Sequence, residues 1–236
     1  MADRKPPPTT TSGRSGPRRL GLVQPVDDGT LVEIMRRFQE REPDPRGELD
    51  HTDPYTLLVA VVLSAQATDR GVNLATAGLY RAASTPAAMV ALGEERVAEH
   101  IRTIGLFRTK ARNVVALSQR LLAEQGGVVP PDRAYLESLP GVGPKTASVV
   151  LNVAFGVPTI AVDTHVFRVS NRVPIVIAGT PDEMQAGLER RIPPQFLVHA
   201  HHWLILHGRY TCKARVPDCP GCSIRDLCRF PGKTGV

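Results

Sequence analysis

Lys145 stands behind two glycines and a proline in Leu-Pro-Gly-Val-Gly-Pro-Lys-Thr-Ala (139–147), at the mouth of an apolar run. An amine in that setting suits two chemistries. As a cation it binds phosphate; held partly desolvated in a cleft, with a lowered pKa, it is a nucleophile. A second constellation is Cys212, Cys219, Cys222 and Cys228, spaced C-x6-C-x2-C-x5-C. Without a secretion signal, thiolates this close suit a metal centre rather than disulfides. Zinc sites usually show two C-x2-4-C pairs, and only Cys219 and Cys222 form one, so a [4Fe–4S] cluster is the expected cofactor. Its core with four thiolates carries a charge of about −2. Arg209, Lys213, Arg215, Arg225 and Arg229 are the candidates to offset it.

The glycine stretch is not a nucleotide loop. A P-loop needs G-x-x-x-x-G-K-[ST] after a strand. Here Pro144 separates Gly143 from Lys145, no earlier glycine has the required spacing, and Asp132 to Leu139 reads as a short helix. What remains is a turn between two helices, ended on one side by Pro140. Gly141 and Gly143 permit positive φ and close approach, and the N–H groups of the next helix start face outward. Such a helix-hairpin-helix grips a DNA backbone without reading bases. Lys213 and Arg215 are alternatively phosphate contacts of the same kind. The stretch alone does not choose between the two roles of Lys145.

Helix signals dominate the segments that must position these groups. Thr30-Leu-Val-Glu33 and Thr180-Pro-Asp-Glu183 have the form of capping boxes, and Thr85-Pro86 marks another helix start. Ala111, Val114, Val115, Leu121 and Leu122 recur at helical spacing, as do Ala147, Val150, Leu151 and Ala154. Leu57 to Leu63 reads as a buried helix segment, and Val173 to Ile177 is the one tempting strand. The chain is therefore expected to be all-α. Its formal charge of +6 is uneven, because residues 1–20 hold five basic side chains against Asp3 alone. That Pro-, Thr- and Arg-rich tail cannot bury enough to fold. No run approaches the ~20 apolar residues of a membrane span, and the N-terminus lacks an apolar signal core, so a cytoplasmic protein is expected.

In combination, the hairpin with its lysine, Ala161-Val-Asp163-Thr-His165-Val-Phe-Arg168 and the cysteine spacing resemble the endonuclease III family of base-excision DNA glycosylases. Leu63-Ser64-Ala-Gln66-Ala-Thr-Asp69 and His201-His-Trp-Leu-Ile-Leu-His-Gly-Arg-Tyr-Thr-Cys212 are similar to it as well. The likeness runs from about Thr30 to Arg229. It implies two all-α domains: a six-helix barrel with the hairpin over 47–157, and a cluster domain from 21–46 and 158–236, with a DNA-binding cleft between them. It also implies a bifunctional glycosylase and abasic-site lyase, acting as a monomer on double-stranded DNA with oxidised pyrimidines or abasic sites, nucleoid-associated in a prokaryote.

Under that resemblance Lys145 is the nucleophile and Asp163 the acid opposite it, which also reads as the N-cap of the following helix. Gln66 fills the gap left by a flipped base. Leu106 wedges the opposite strand, with ordinary core as its plain alternative. Gly141, Val142, Gly143 and Thr146 hold the DNA backbone, while Ser64, Asp69 and His165 match pocket positions. His199, His201, His202 and His207 read as packing or surface histidines. One departure is Pro144, where several relatives carry a basic residue. The rival readings are a monofunctional adenine or mismatch glycosylase, whose members lack the lysine, and a non-catalytic cluster-bearing DNA-binding protein.

Overall fold

A computed structural model describes residues 24–235, and every regular element among them is helical. The expected basic tail, residues 1–20, lies outside the described residues. Ten helices follow one another: α1 (Asp28–Arg41), α2 (Pro54–Ser64), α3 (Asp69–Ala82), α4 (Pro86–His100), α5 (Phe107–Gln125), α6 (Arg133–Ser138), α7 (Pro144–Phe155), α8 (Thr164–Arg172), α9 (Pro181–Arg191) and α10 (Pro194–Leu206). A π-turn, His207–Thr211, continues α10.

Their starts follow local chemistry. Asp53 caps α2 and Thr180 caps α9, each closing a full capping box, and Pro54 and Pro181 sit where no N–H is needed. Thr85 caps α4 as expected. The box expected at Thr30 does not form. Asp27 caps α1 instead, accepting from the Thr30 N–H at 2.8 Å, and Glu33 is drawn off by Arg36 and Arg37. Helix α4 is broken at Gly93, whose φ of 78° interrupts the helical geometry.

The apolar segment Leu57 to Leu63 is buried as expected, and no side chain of α2 from Tyr55 to Leu63 reaches solvent appreciably. A helix that is apolar all round must be surrounded. Helices α3, α5 and α7 pack around it, and α4 packs along α5. Two polar contacts are made inside, Tyr55 Oη with Ser118 Oγ at 2.7 Å and Tyr80 Oη donating to the Thr56 carbonyl at 2.7 Å, whereas Lys110 Nζ of α5 is buried without a partner.

A second core unites the two ends of the described chain. Leu31, Ile34, Met35 and Phe38 of α1 meet Val166, Val169, Leu188, Trp203 and Leu204. Trp203 donates to the Glu42 carbonyl at 2.8 Å, and Arg37 reaches Asp226 and the Ser223 carbonyl near the C-terminus. Val173 to Ile177 is a loop, not a strand: Val173, Ile175 and Val176 are buried in this core, while Ile177 is exposed. The Ile175 N–H turns back to the Ser170 carbonyl at 2.8 Å, and the Pro174 carbonyl accepts from Val26 at 2.9 Å. Polar clamps join the two cores. Asn152 of α7 donates to the carbonyls of Thr159 and Val198, and Arg133 of α6 donates to Ser148 and Thr159.

Because Leu58 is fully buried at the centre of the first core, Leu58→Ala should lower stability by about 3 kcal/mol. Urea denaturation followed by circular dichroism measures this. A loss under about 1 kcal/mol would show that the site collapses around the smaller side chain.

Candidate active site and cysteine cavity

The hairpin is built by α6, the turn Leu139–Gly143 and α7. Gly141 has a φ of 80°, and a Cβ there would stand 2.8 Å from Asn113 Nδ2 of α5, so conformation and crowding both require glycine. Gly143 differs from expectation. Its φ is −105°, an ordinary extended value, and no atom lies within 4 Å of where its Cβ would be. Its role is an open face at the start of α7, which carries no side-chain cap. Val142 also differs: its side chain is 7% exposed and packs in the first core, leaving only its backbone to face a ligand. Pro144 opens α7, and Lys145 and Thr146 follow in its first turn.

Lys145 and Asp163 line one cavity of about 270 Å³. Lys145 is exposed at its wall, not desolvated. Asp163 caps α8, its Oδ1 accepting from His165 N at 2.8 Å and Val166 N at 2.7 Å. Both readings of Asp163 therefore fit one side chain, since capping occupies a single carboxylate oxygen. Ser64, Gln66, Asp69 and Thr146 line the same cavity. His165 does not: its ring Nδ1 lies 3.2 Å from Arg168 Nη2.

Gln66 and Leu106 share a further property. They are the two non-glycine residues with positive φ among those described, at 54° and 58°. Leu106 is 63% exposed, which removes its reading as ordinary core. Such backbones cost roughly 1–3 kcal/mol each and collect where function requires them.

The cavity also holds groups that local sequence does not flag. Arg209, from the π-turn, bonds Asp69 at 2.9 Å and pairs with Glu48, to which Tyr210 Oη also donates. It was expected beside the cysteines and instead faces the cleft. His201 and His202 of α10 line the cavity, and the Nδ1 of each is buried without a partner. Burial, then the neighbouring His202, pushes His201 down to about 3, and burial, then His199, pushes His202 down to about 4. Burial therefore disfavours the imidazolium form of His201 and His202.

The four cysteines line a second cavity, and none is in a disulfide. No three metal-ligating side chains among the described residues converge closely enough for a single ion. A polynuclear centre sets its thiolates further apart than one ion does. Burial pushes the Cys222 and Cys228 thiols up, so thiolates there need a strong cationic partner. Donors point at the sulfurs: Phe230 N lies 3.5 Å from Cys228 Sγ and Arg172 Nη1 lies 3.6 Å from Cys212 Sγ. The cations are only in part those expected. Arg229 binds the Pro25 carbonyl and Asp27, while Arg225, which does line the cavity, donates to the Gly235 carbonyl. Lys213 and Arg215 are exposed on the loop between Cys212 and Cys219. Arg172, distant in sequence, is the cation that touches a sulfur.

The depressed histidines give a testable sign. The unfolded chain binds protons on His201 and His202 near pH 6.5, which the folded chain does not bind until far lower pH. Their contribution to stability is whole above about pH 6.5 and is lost as pH falls below it. His201→Phe should flatten the acid limb of a stability–pH curve between pH 6.5 and 4. An unchanged slope would assign that limb to other groups.

Residues 59–194 match the family of HhH-GPD superfamily base excision DNA repair proteins. The chain is 53% identical over 205 residues to endonuclease III of Escherichia coli (strain K12), covering 87% of this chain and 97% of that protein. It is 53% identical over 203 residues to endonuclease III of Treponema pallidum (strain Nichols), covering 86% and 96%. Among solved structures it superposes on a trapped endonuclease III–DNA covalent intermediate with a TM-score of 0.80 at 44% identity, covering 86% of this chain and 96% of that one. A thermostable thymine-DNA glycosylase, at 22% identity and a TM-score of 0.78 over 86% and 97% of the two chains, shares the fold. With the hairpin, the shared cavity and the four cysteines, these likenesses identify the chain as a member of the endonuclease III family of base excision DNA repair proteins.

Proposed function

We propose that the protein is a bifunctional DNA glycosylase and abasic-site lyase that removes oxidised pyrimidines from double-stranded DNA. The observation that carries this reading is that Lys145, behind the hairpin, and Asp163, at the start of α8, open onto one cavity. A target base must leave the stack before an amine can reach C1′. Gln66 and Leu106 are the groups proposed to occupy the space it leaves and to wedge the other strand. The hairpin backbone at Gly141 to Gly143 and the N-terminus of α7 would hold phosphate there.

Neutral Lys145 Nζ then attacks C1′, and the glycosidic bond breaks with its electron pair going to the departing base. Opening of the sugar ring leaves a Schiff base between Nζ and C1′. Loss of the C2′ proton breaks the bond from C3′ to its oxygen, which cuts the strand on the 3′ side. Asp163 stabilises positive charge developing at the sugar and accepts a proton from the lysine. DNA over the cleft excludes water from Lys145, which favours the neutral amine. The lysine itself argues against a monofunctional adenine or mismatch enzyme, and its pairing with Asp163 in one cavity argues against a non-catalytic binding protein.

Cys212, Cys219, Cys222 and Cys228 are proposed to hold a [4Fe–4S] cluster, as a thiolate set suited to iron. When bound, the cluster supplies a fixed frame for the C-terminal chain. We further propose that the two cores correspond to the domains 47–157 and 21–46 with 158–236. No described helix is long and apolar enough to cross a membrane.

Borohydride should trap the protein covalently on duplex DNA containing thymine glycol, and Lys145→Ala should abolish trapping while keeping measurable DNA binding. Active, iron-containing protein that gives no adduct would overturn the lyase assignment. Elemental analysis showing zinc and no iron would overturn the cluster.

A further inference from the structure

Helix α8 carries two arginines one turn apart, and both reach the same short piece of chain. Arg168 Nη2 donates to the Gly208 carbonyl at 2.8 Å, and its Nε to the Cys212 carbonyl at 3.3 Å. Arg172, in the last turn of α8, goes further. Its Nη1 donates to the Lys213 carbonyl at 2.7 Å and lies 3.6 Å from Cys212 Sγ. Its Nη2 donates to the Ala214 carbonyl at 3.1 Å, and its guanidinium sits over the Phe230 ring at 5.0 Å. One planar group thus touches a thiol of the cysteine cavity and two consecutive carbonyls of the loop that bears Lys213 and Arg215. Only a guanidinium has the several donors in a fixed fork that this demands.

Away from Arg172, the base of that loop is tied locally. The Thr211 carbonyl accepts from Lys213 N at 2.9 Å and from Asp218 N at 2.8 Å, which closes its neck. Ala214, Arg215 and Val216 are exposed, and the Lys213 side chain is free in solvent. Without Arg172, the carbonyls of Lys213 and Ala214 turn to water and the loop loses its tie to α8. The other end of α8 is Asp163, about 13 Å away at 1.5 Å per residue. The loop is therefore held in register with the catalytic carboxylate through one short helix.

We infer that Arg172 is the positioning residue that holds the Lys213–Arg215 loop in the pose in which it grips the DNA backbone, using the first cysteine of the cluster as its anchor. The inference rests on the proposed function, in which the four cysteines hold iron, together with the sequence reading of Lys213 and Arg215 as phosphate contacts. Arg172 itself touches neither substrate nor reacting atoms. Its effect on DNA passes through the loop, and this separates it from a residue that merely stabilises the fold.

A double-mutant cycle tests it. Binding of duplex DNA carrying a tetrahydrofuran abasic analogue is measured against salt for the wild type, Arg172→Lys, Lys213→Ala/Arg215→Ala and the triple variant, with iron content and visible absorbance read on each. Arg172→Lys keeps the charge but cannot hold both carbonyls. It should keep its iron, bind about ten-fold more weakly, and lower the slope of log affinity against log salt by up to about 2, as for two lost phosphate contacts. In the Lys213→Ala/Arg215→Ala background the same change should have no further effect. Equal losses in both backgrounds, or no loss in either, would overturn the inference. So would loss of iron from Arg172→Lys, since the residue would then govern cluster retention and not the loop. Absence of iron from the wild type would instead sink the cluster reading, and the cycle would still report on Arg172.

Discussion

Helix α2 presents no polar face to water. From Tyr55 to Leu63 every side chain is buried, and the helix can exist only inside a ring of other helices. That requirement orders much of the molecule. Helix α7 packs on α2, so the turn that precedes α7, and Lys145 within its first turn, are held by a buried helix beside the cleft. The same helix runs directly into Ser64 and Gln66 at the cavity. The segment with the greatest need to leave water thus delivers two groups that must face it.

Strain is confined to a few junctions, each supported by packing. Gln66 follows the buried α2, Leu106 precedes α5, and Gly141 lies against Asn113 of α5. Left-handed backbone at a glutamine and a leucine is tolerated because the helices beside them are anchored in one core. The π-turn after α10 does related work by a different route. The wider turn sends Arg209 toward Asp69 and Glu48 while Cys212, three residues on, enters the cysteine cavity. Wide turns of this kind are rare and are found frequently at functional sites.

Much of this was legible from local signals. Helical spacing in α5 and α7, the Thr180 box, the Asp163 cap and the hairpin all follow from interactions within a few residues. Signals failed where two local solutions competed or where partners were distant. Thr30 and Asp27 both offered a cap, and the carboxylate prevailed, with Arg36 and Arg37 removing Glu33 from any box. The run Val173 to Ile177 found no neighbouring strand and forms a loop whose first four residues are buried and whose last, Ile177, is exposed. Proximity in sequence misassigned the cations: Arg209 and Arg229 lie within a few residues of cysteines but bond elsewhere, while Arg172 arrives from forty residues away. The motif says nothing of where the Val142 side chain goes, and that side chain packs into the first core.

Pro144 bears on more than the charge it lacks. A proline at the first helical position fixes its own φ and pushes the residue before it into extended backbone, as Gly143 is found. The exit of the hairpin is therefore set by a covalent ring as well as by contacts, and the unfolded chain has fewer conformations to give up in forming it. Lys145 inherits that register. Inserting or deleting one residue between Gly141 and Pro144 would either break the turn or rotate the amine by about 100° around α7, given 3.6 residues per turn. The length of this stretch is thus as tightly constrained as the glycine at Gly141, whose φ of 80° and contact with Asn113 admit no side chain.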